Sequence, residues 1–554
     1  MKKILMPIIV LLVIAFVITG CRNSPVTTSP VTTPTTTTPE TTIPTAPTST
    51  TPASTTPTTS VVKGGILRII AAAGPQVLSY VPDMGPNDAG AVFPAVERLM
   101  DATADRSQGI GLEPVLAQSV DDDIANNRIV FHLRPGVKFS DGSDLNADVV
   151  IWNFQQLIDA GRLQYQSFFK DIKKLDDMTV EIDYTIYTNQ LLPSWGWTAI
   201  YSKQAWDQAS GGDLQKGRDW ARTHVVGTGP FMLQEFVRDD HITWVKNPNY
   251  WRPGEPYLDG IKVTFIPDPT TAQNIILAGQ ADEWDSPTAQ AINELVSKGL
   301  TKVSSWPGLV NSIWPNTTNT NSPFYNSLAL RQAIAYAIDR PTLAKVLGFG
   351  NYIPMTQLAP QGEWGYDPNY QGIPYDPAKA KQLLAEAGYP NGLKVNLLIG
   401  NDAASLDAGT AIKQYLDAVG FQTNLDVADP GRFYGTVWGN TIPGDELTFM
   451  WSGMDTNYLM TYMRWFSSDP FTNVAFLGRT DEQKALDKQA ESIPDAAGQQ
   501  KIAMDIMKYM NENARVIPLF LAPATVITAP YVHTTRFSQG FVRWQSEIVW
   551  MDKH

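Results

Sequence analysis

The sequence predicts a mixed α/β protein of two lobes, and three observations carry that reading. The chain has 554 residues, several times what one hydrophobic core usually serves. Its N-terminal half contains short alternating runs separated by turn residues, the pattern of antiparallel strands. Residues 375–427 read as helix, strand, helix, strand, a crossover that implies parallel strands covered by helices.

Composition sets the first exclusions. Apolar residues make up 43% and charged residues 18%, a globular balance rather than a disordered one. The formal charge of −13 argues against nucleic-acid binding, which needs a basic surface to replace phosphate counterions. The single cysteine, Cys21, excludes a disulfide framework, a CxxC zinc site and an iron–sulfur cluster. His132, His224, His241, His533 and His554 are scattered without an i,i+4 pair, so neither a metal site nor a cofactor is expected.

The elements follow in chain order. Lys2 and Lys3 precede an apolar run from Ile4 to Ile18 broken only by Pro7. At about 15 residues it is short for a membrane span of roughly 20 and suits a signal peptide over 1–20. The run ends in Ile18-Thr19-Gly20-Cys21, which resembles a bacterial lipobox. There the thiolate of Cys21 is the nucleophile that accepts the lipid; the alternative is a buried cysteine in a signal peptide cleaved elsewhere. Residues 21–61 are nearly all Thr, Pro, Ser and Ala after the first few. Such a stretch buries too little apolar surface to offset chain entropy, and proline extends it. A tether of that length reaches on the order of 100 Å. It either lifts a domain off the membrane or is a passive insert, and its composition permits O-glycosylation.

Folded sequence begins after Gly64-Gly65 with a strand from Ile66 to Ile70. Residues 128–139 predict a strand, a Pro135-Gly136 turn and a second short strand, and Val180, Ile182 and Tyr184 a half-buried strand. Residues 229–247 predict two strands around Arg238-Asp239-Asp240. Ile261, Val263 and Phe265 alternate ahead of a helix that Thr270 or Thr271 can cap and Gly279 can end. Asp376 and Pro377 open a helix whose Ala380, Leu383, Leu384 and Ala387 share one face, and Gly388 stops it. Strands at 393–399 and 421–427 flank a helix with Ile412, Tyr415, Leu416 and Val419 on its stripe. One long helical pattern covers 482–513, and "RVIPLFLAP" reads as a buried strand.

Five of these stretches, in order, resemble one family. They are "LRPGVKFSDGSDLNADVVIWNF" (133–154), "GTGPFMLQEF…NPNYW" (227–251), "YLDGIKVTFIPDPTTAQNIILAGQAD" (257–282), "LRQAIAYAIDR" (330–340) and "YDPAKAKQLLAEAGYPNG" (375–392). Together they are similar to the solute-binding proteins of peptide/nickel-type ABC importers; Ser140 stands where many relatives carry histidine. The motifs' own residues suit turns and packing: Gly136, Asp141-Gly142, Asn247 and Pro248 read as scaffold. The resemblance implies a two-lobed periplasmic-binding-protein-like clamp, type II and cluster C-like, with an extra subdomain. Lobe I would comprise 62–96, 225–320 and 521–554, the extra subdomain 97–224, and lobe II 321–520. Ligand would bind between the lobes, and hinge closure would bury it.

The same resemblance implies a site. In peptide-binding relatives an aspartate after a "GW..D"-like stretch pairs with the peptide's α-ammonium. The corresponding text here, "FMWSGMDTNYLM", is one residue longer and points to Asp455, with Trp451, Trp438 and Tyr458 beside it. Trp195, Trp197 and Trp465 lie in other stretches that could reach a cleft, where aromatic faces stack on peptide planes or sugars. Each tryptophan also has core packing as its plainer reading.

The function implied is a lipid-anchored, extracytoplasmic, monomeric subunit that captures oligopeptides and hands them to an ABC permease. Two alternatives stand: an oligosaccharide-binding member of the family, and a surface receptor that senses peptide without importing it. An adjacent permease operon would support import over sensing. Free nickel is disfavoured by the scattered histidines. An enzyme is not expected, because a Gly-x-Ser-x-Gly elbow, a P-loop and a complete GxGxxG are all missing.

Overall fold

The computed structural model describes residues 61–102, 111–439, 441–453, 455, 457–468, 474–537 and 544–552. The signal peptide, Cys21 and the Thr/Pro tether lie outside the described residues.

Three sheets organise the folded chain. A seven-stranded sheet runs in the order 301–304, 525–528, 283–285, 66–71, 260–265, 241–246, 231–237. A six-stranded sheet runs 353–354, 517–522, 309–315, 447–452, 393–400, 421–428. A four-stranded antiparallel sheet runs 117–123, 128–133, 179–184, 169–176. The buried apolar residues divide the same way. One core serves the four-stranded sheet, from Leu99 to Ile200. Two serve the seven-stranded sheet, drawn from Leu67–Leu295 and from Ile527 onward. Two more serve the six-stranded sheet and hold only residues between Val310 and Leu521. No core mixes residues of the two large sheets. These are the lobes and the subdomain of the resemblance.

The pairing moves the boundaries expected from sequence. Leu309–Pro315 pairs with 447–452 and 517–522, so it lies in the second lobe although the sequence reading has the first lobe continue to 320. Leu521 and Ala522 likewise stay with the second sheet. Tyr201 joins the core of the seven-stranded sheet, which shortens the subdomain.

Most elements fall where periodicity puts them. Strand Leu393–Gly400, helix Ala403–Ala418 and strand Phe421–Ala428 form the parallel crossover, in register from Leu393 opposite Phe421. Helix Pro377–Glu386 starts on Asp376, whose side chain accepts from Lys379 N. Four details differ. The long 482–513 pattern is two helices, Asp481–Glu491 and Ala496–Glu512, because Pro494 interrupts it and Asp495 caps the second. Helix Pro269–Leu277 is capped by Asp268, not by either threonine. After the turn at Gly136 (φ +76) the chain makes only a single bridge, Lys138 with Asp144, rather than a second strand. Thr179–Tyr184 is buried on both faces, since it is an inner strand and helix Ala147–Asp159 covers it.

The motif residues serve the scaffold. At Gly227 and Gly229 the backbone of Ala95 approaches so closely that an added Cβ would lie 2.1 and 2.5 Å from it, so both positions need glycine. Asn247 donates to Gly229 O. Arg331 and Arg340 are buried and point their guanidinium groups at main-chain carbonyls, Arg331 at Asn513 and Phe324, Arg340 at Pro518, Ala335 and Ile373. Asp282 accepts from Arg68 N, Nε and Nη2 and from the Tyr531 hydroxyl, which ties three strands' ends together.

Candidate functional site

Strand direction locates the cleft. In the seven-stranded sheet, 66–71, 260–265 and 283–285 are parallel, so their carboxyl ends share one edge. Strand 301–304 ends on that edge too, opposite Thr525. In the six-stranded sheet, 393–400, 421–428 and 447–452 are parallel and end together, beside Leu309 and Ala522. The chain crosses between the sheets only from these two edges, at 305–308 and at 523–524. The carboxyl ends of both sets of parallel strands therefore flank one crevice, the place where open α/β sheets bind ligands.

The crossings are tied to each other. Ser305 N donates to Ala524 O at 2.8 Å, and Ala524 N donates to Ser305 Oγ at 3.1 Å. Ser304 and Thr525 hydroxyls lie 2.9 Å apart. At Gly308 an added Cβ would sit 2.2 Å from Ala522 O, so the two segments cross in near contact. Both connections between the sheets thus pass side by side, joined by hydrogen bonds.

The sequence-predicted residues lie on the second lobe's side of this crevice. Strand Leu447–Ser452 carries Trp451 to its end, Gly453 and Asp455 follow, and helix Tyr458–Trp465 starts on Asn457, whose Oδ1 accepts from Met460 N. Asp455 is buried, at 5% exposure. Its N–H donates to Thr461 Oγ1 at 2.9 Å, and its Oδ1 accepts from Arg464 Nη1 at 3.0 Å. Its Oδ2 is buried without a hydrogen-bond partner. Trp438 Nε1, Asn457 Nδ2 and Trp465 Nε1 share that condition, while the Tyr458 hydroxyl faces Ser452 Oγ. Buried polar atoms are nearly always paired, so such a concentration marks a place built for something further.

The aromatic residues join unequally. Trp465 stands between Trp438 and Trp451, with ring centroids 5.8 Å from each. Trp438 stacks on Tyr434 at 4.5 Å. Trp451 and Trp438 are half-buried, whereas Tyr458 is fully buried in the second lobe's core, and burial raises its hydroxyl pKa. Trp195 is in the core of the four-stranded subdomain and donates to Gln164 O, and Trp197 lies beneath the Arg98 guanidinium. Neither belongs to this cluster.

Arg464, Asn457, Thr461 and the crossing segments were not singled out from sequence. Asn457 as a helix cap was readable from the text. The ion pair was not, since Arg464 lies nine positions from Asp455 across a turn and a helix. Among the described residues no three or more His, Cys, Asp or Glu are grouped to hold a metal ion, and no helix is long and apolar enough to cross a membrane.

Known proteins agree with this architecture. The chain is 30% identical over 312 residues to Heme-binding protein A of Haemophilus influenzae, covering 52% of this chain and 56% of that protein. It is 33% identical over 341 residues to the glutathione-binding protein GsiB of Shigella boydii, covering 59% and 63%. The chain thus spans a little over half of the first relative and a little under two thirds of the second. The periplasmic binding protein DppA of Helicobacter pylori, solved with the peptide STSA, superposes with a TM-score of 0.75 over 89% of this chain and 99% of that one, at 23% identity. This last likeness concerns the fold. The sequence model of the bacterial extracellular solute-binding proteins, family 5, matches residues 111–483, from the four-stranded subdomain into the last helices of the second lobe. By that match the chain belongs to the bacterial extracellular solute-binding proteins of family 5.

Proposed function

We propose that this chain is the extracytoplasmic capture subunit of an ABC importer, lipid-anchored at Cys21, and that it closes its two lobes on an oligopeptide. The observation that carries the ligand class is Asp455. Arg464 occupies one carboxylate oxygen and the other, buried at the crevice edge, has no partner. A peptide's α-ammonium supplies the donor that oxygen lacks, and a charge-assisted bond in a closed, water-poor crevice fixes the peptide's end. Trp451 offers a half-buried face for the first peptide planes. The mechanism is binding and release: closure buries the ligand, the closed form is what a permease recognises, and no bond is broken. The relatives named for glutathione and for the peptide STSA bind ligands of this chemical class.

A thermal-shift screen of the full chain tests the class. Peptides with free amino termini are expected to raise the midpoint, as ligands that bind only the native state must. N-acetylated versions of the same peptides are expected to lose most of that shift. A shift produced by oligosaccharides or haem alone removes the peptide reading.

A further inference from the structure

A second cavity, of about 270 Å³, lies outside the crevice, on the seam between the four-stranded subdomain and the second lobe. One wall carries Asp122, Tyr184, Tyr187 and Asn189; the other carries Pro494 and Gln499. None of its lining residues belongs to the Trp438–Trp465 cluster. We propose that this seam cavity is a binding site for a small organic ammonium ion, seated between the Asp122 carboxylate and the Tyr184 hydroxyl.

The chemistry of the lining points there. Tyr184 is 1% exposed, and its hydroxyl is buried without a hydrogen-bond partner. Such a group costs stability unless something completes it. No lining residue is basic. Asp122 stands at the rim, exposed as a residue, yet neighbouring atoms crowd its carboxyl and, with the charge of Asp123, raise it to about 6. The charge of Asp122 adds to burial in raising the Tyr184 and Tyr187 hydroxyls. Asp123 is paired with Arg128 at 2.9 Å, which leaves the Asp122 carboxylate as the unpaired charge that a cation would meet in the cavity. The volume exceeds that of a bare metal ion, and the described residues group no ligand set for one.

The site is also tied to closure. Asn189 N donates to Glu491 O at 3.0 Å, and its Nδ2 donates to Ala490 O at 2.8 Å and to Ile493 O at 3.0 Å. These three bonds hold the seam shut and bring Pro494 and Gln499 against the subdomain. The ion's polar partners are on the subdomain wall, and Pro494 and Gln499 close over it only when the seam is shut, so an ion that gains from that enclosure favours the shut seam by reciprocity.

Calorimetric titration of the full chain with putrescine tests the site, with the uncharged butanediol of the same length as control. Putrescine is expected to bind and the diol is not. Asp122→Asn is expected to weaken putrescine about tenfold or more, and Tyr184→Phe about threefold. Asp455→Asn, on the crevice, is expected to leave the titration unchanged. Circular dichroism confirms that each variant folds, and Asp122, at the rim, is replaceable without loss of core. No heat at millimolar putrescine, equal binding of the diol, or unaltered affinity in Asp122→Asn overturns the proposal. Loss of putrescine binding in Asp455→Asn but not in Asp122→Asn places the amine in the crevice and overturns it as well.

Discussion

Arg464 Nη1 donates to Asp455 Oδ1 at 3.0 Å, while Asp455 Oδ2, on the same buried carboxylate, has no partner. The arginine orients the carboxylate, and on the proposed function the second oxygen takes the ligand's donor. Asp455→Asn is therefore expected to weaken a peptide ligand tenfold or more, read by calorimetry. Arg464→Gln is expected to weaken it less, because Oδ2 survives but the carboxylate loses the bond that orients it. Equal affinity in Asp455→Asn would remove this residue from the site.

Asn189 touches no residue of the crevice cluster, yet it makes three of the bonds across the seam. Asn189→Ala is expected to shift the lobes toward the open form. The expected signs are a larger radius of gyration by small-angle scattering and about five- to fifty-fold weaker binding of the crevice ligand. Unchanged scattering and affinity would mean that the seam does not respond to closure.

Gly308 crosses the second connection with no room for a side chain. Gly308→Ala forces the crossing segments apart and is expected to cost about 1–3 kcal/mol, measured by chemical denaturation. A variant as stable as the parent would show that the crossing can widen freely.

Burial raises the Glu97 carboxyl to about 7, against the lowering effect of bonds from Trp251 and Thr228 and of nearby Arg252. Burial likewise raises Asp445 and Asp487 to about 6. A carboxyl raised by folding binds its proton more tightly in the native state. Its contribution is complete below the unfolded value of 4.5 and is lost as pH rises through about 7. The melting temperature is expected to fall between these pH values, and Glu97→Gln to flatten that slope. A midpoint that rises over the same range would contradict the assignment.

Cys21→Ala is expected to release the protein from membranes on fractionation, since one residue carries the proposed anchor. Membrane association that survives the substitution ends the lipid-anchor reading.

What could be read from the sequence, and what could not, follows from the range of each interaction. Helices at 377–386 and 403–418 and the strands beside them were legible because caps, stripes and alternation are local. The Asp268 cap and the break at Pro494 are local signals too, which neighbouring threonines and a continuing apolar stripe outweigh in the sequence. Strand 309–315 was misplaced because its sheet is chosen by partners at 447–452 and 517–522, far along the chain. The site divides in the same way. Asp455 and Trp451 came from a resemblance in a short segment, whereas the Arg464 pairing, the seam cavity and the knot of Ser305 with Ala524 depend on tertiary neighbours that no spacing announces.

The position of strand 525–528 bears on how the chain is made. It lies inside the seven-stranded sheet, between 283–285 and 301–304, so those two strands are joined only through it. The second lobe, by contrast, is one uninterrupted segment from 309 to 522. As the chain emerges outside the membrane, that segment is complete while the first lobe still lacks an inner strand. The first lobe thus waits, with strand edges uncovered, until residues 525–528 have emerged across the membrane. A chain truncated before residue 525 would keep its second lobe and lose its first, and arrest at that point would present an aggregation-prone edge.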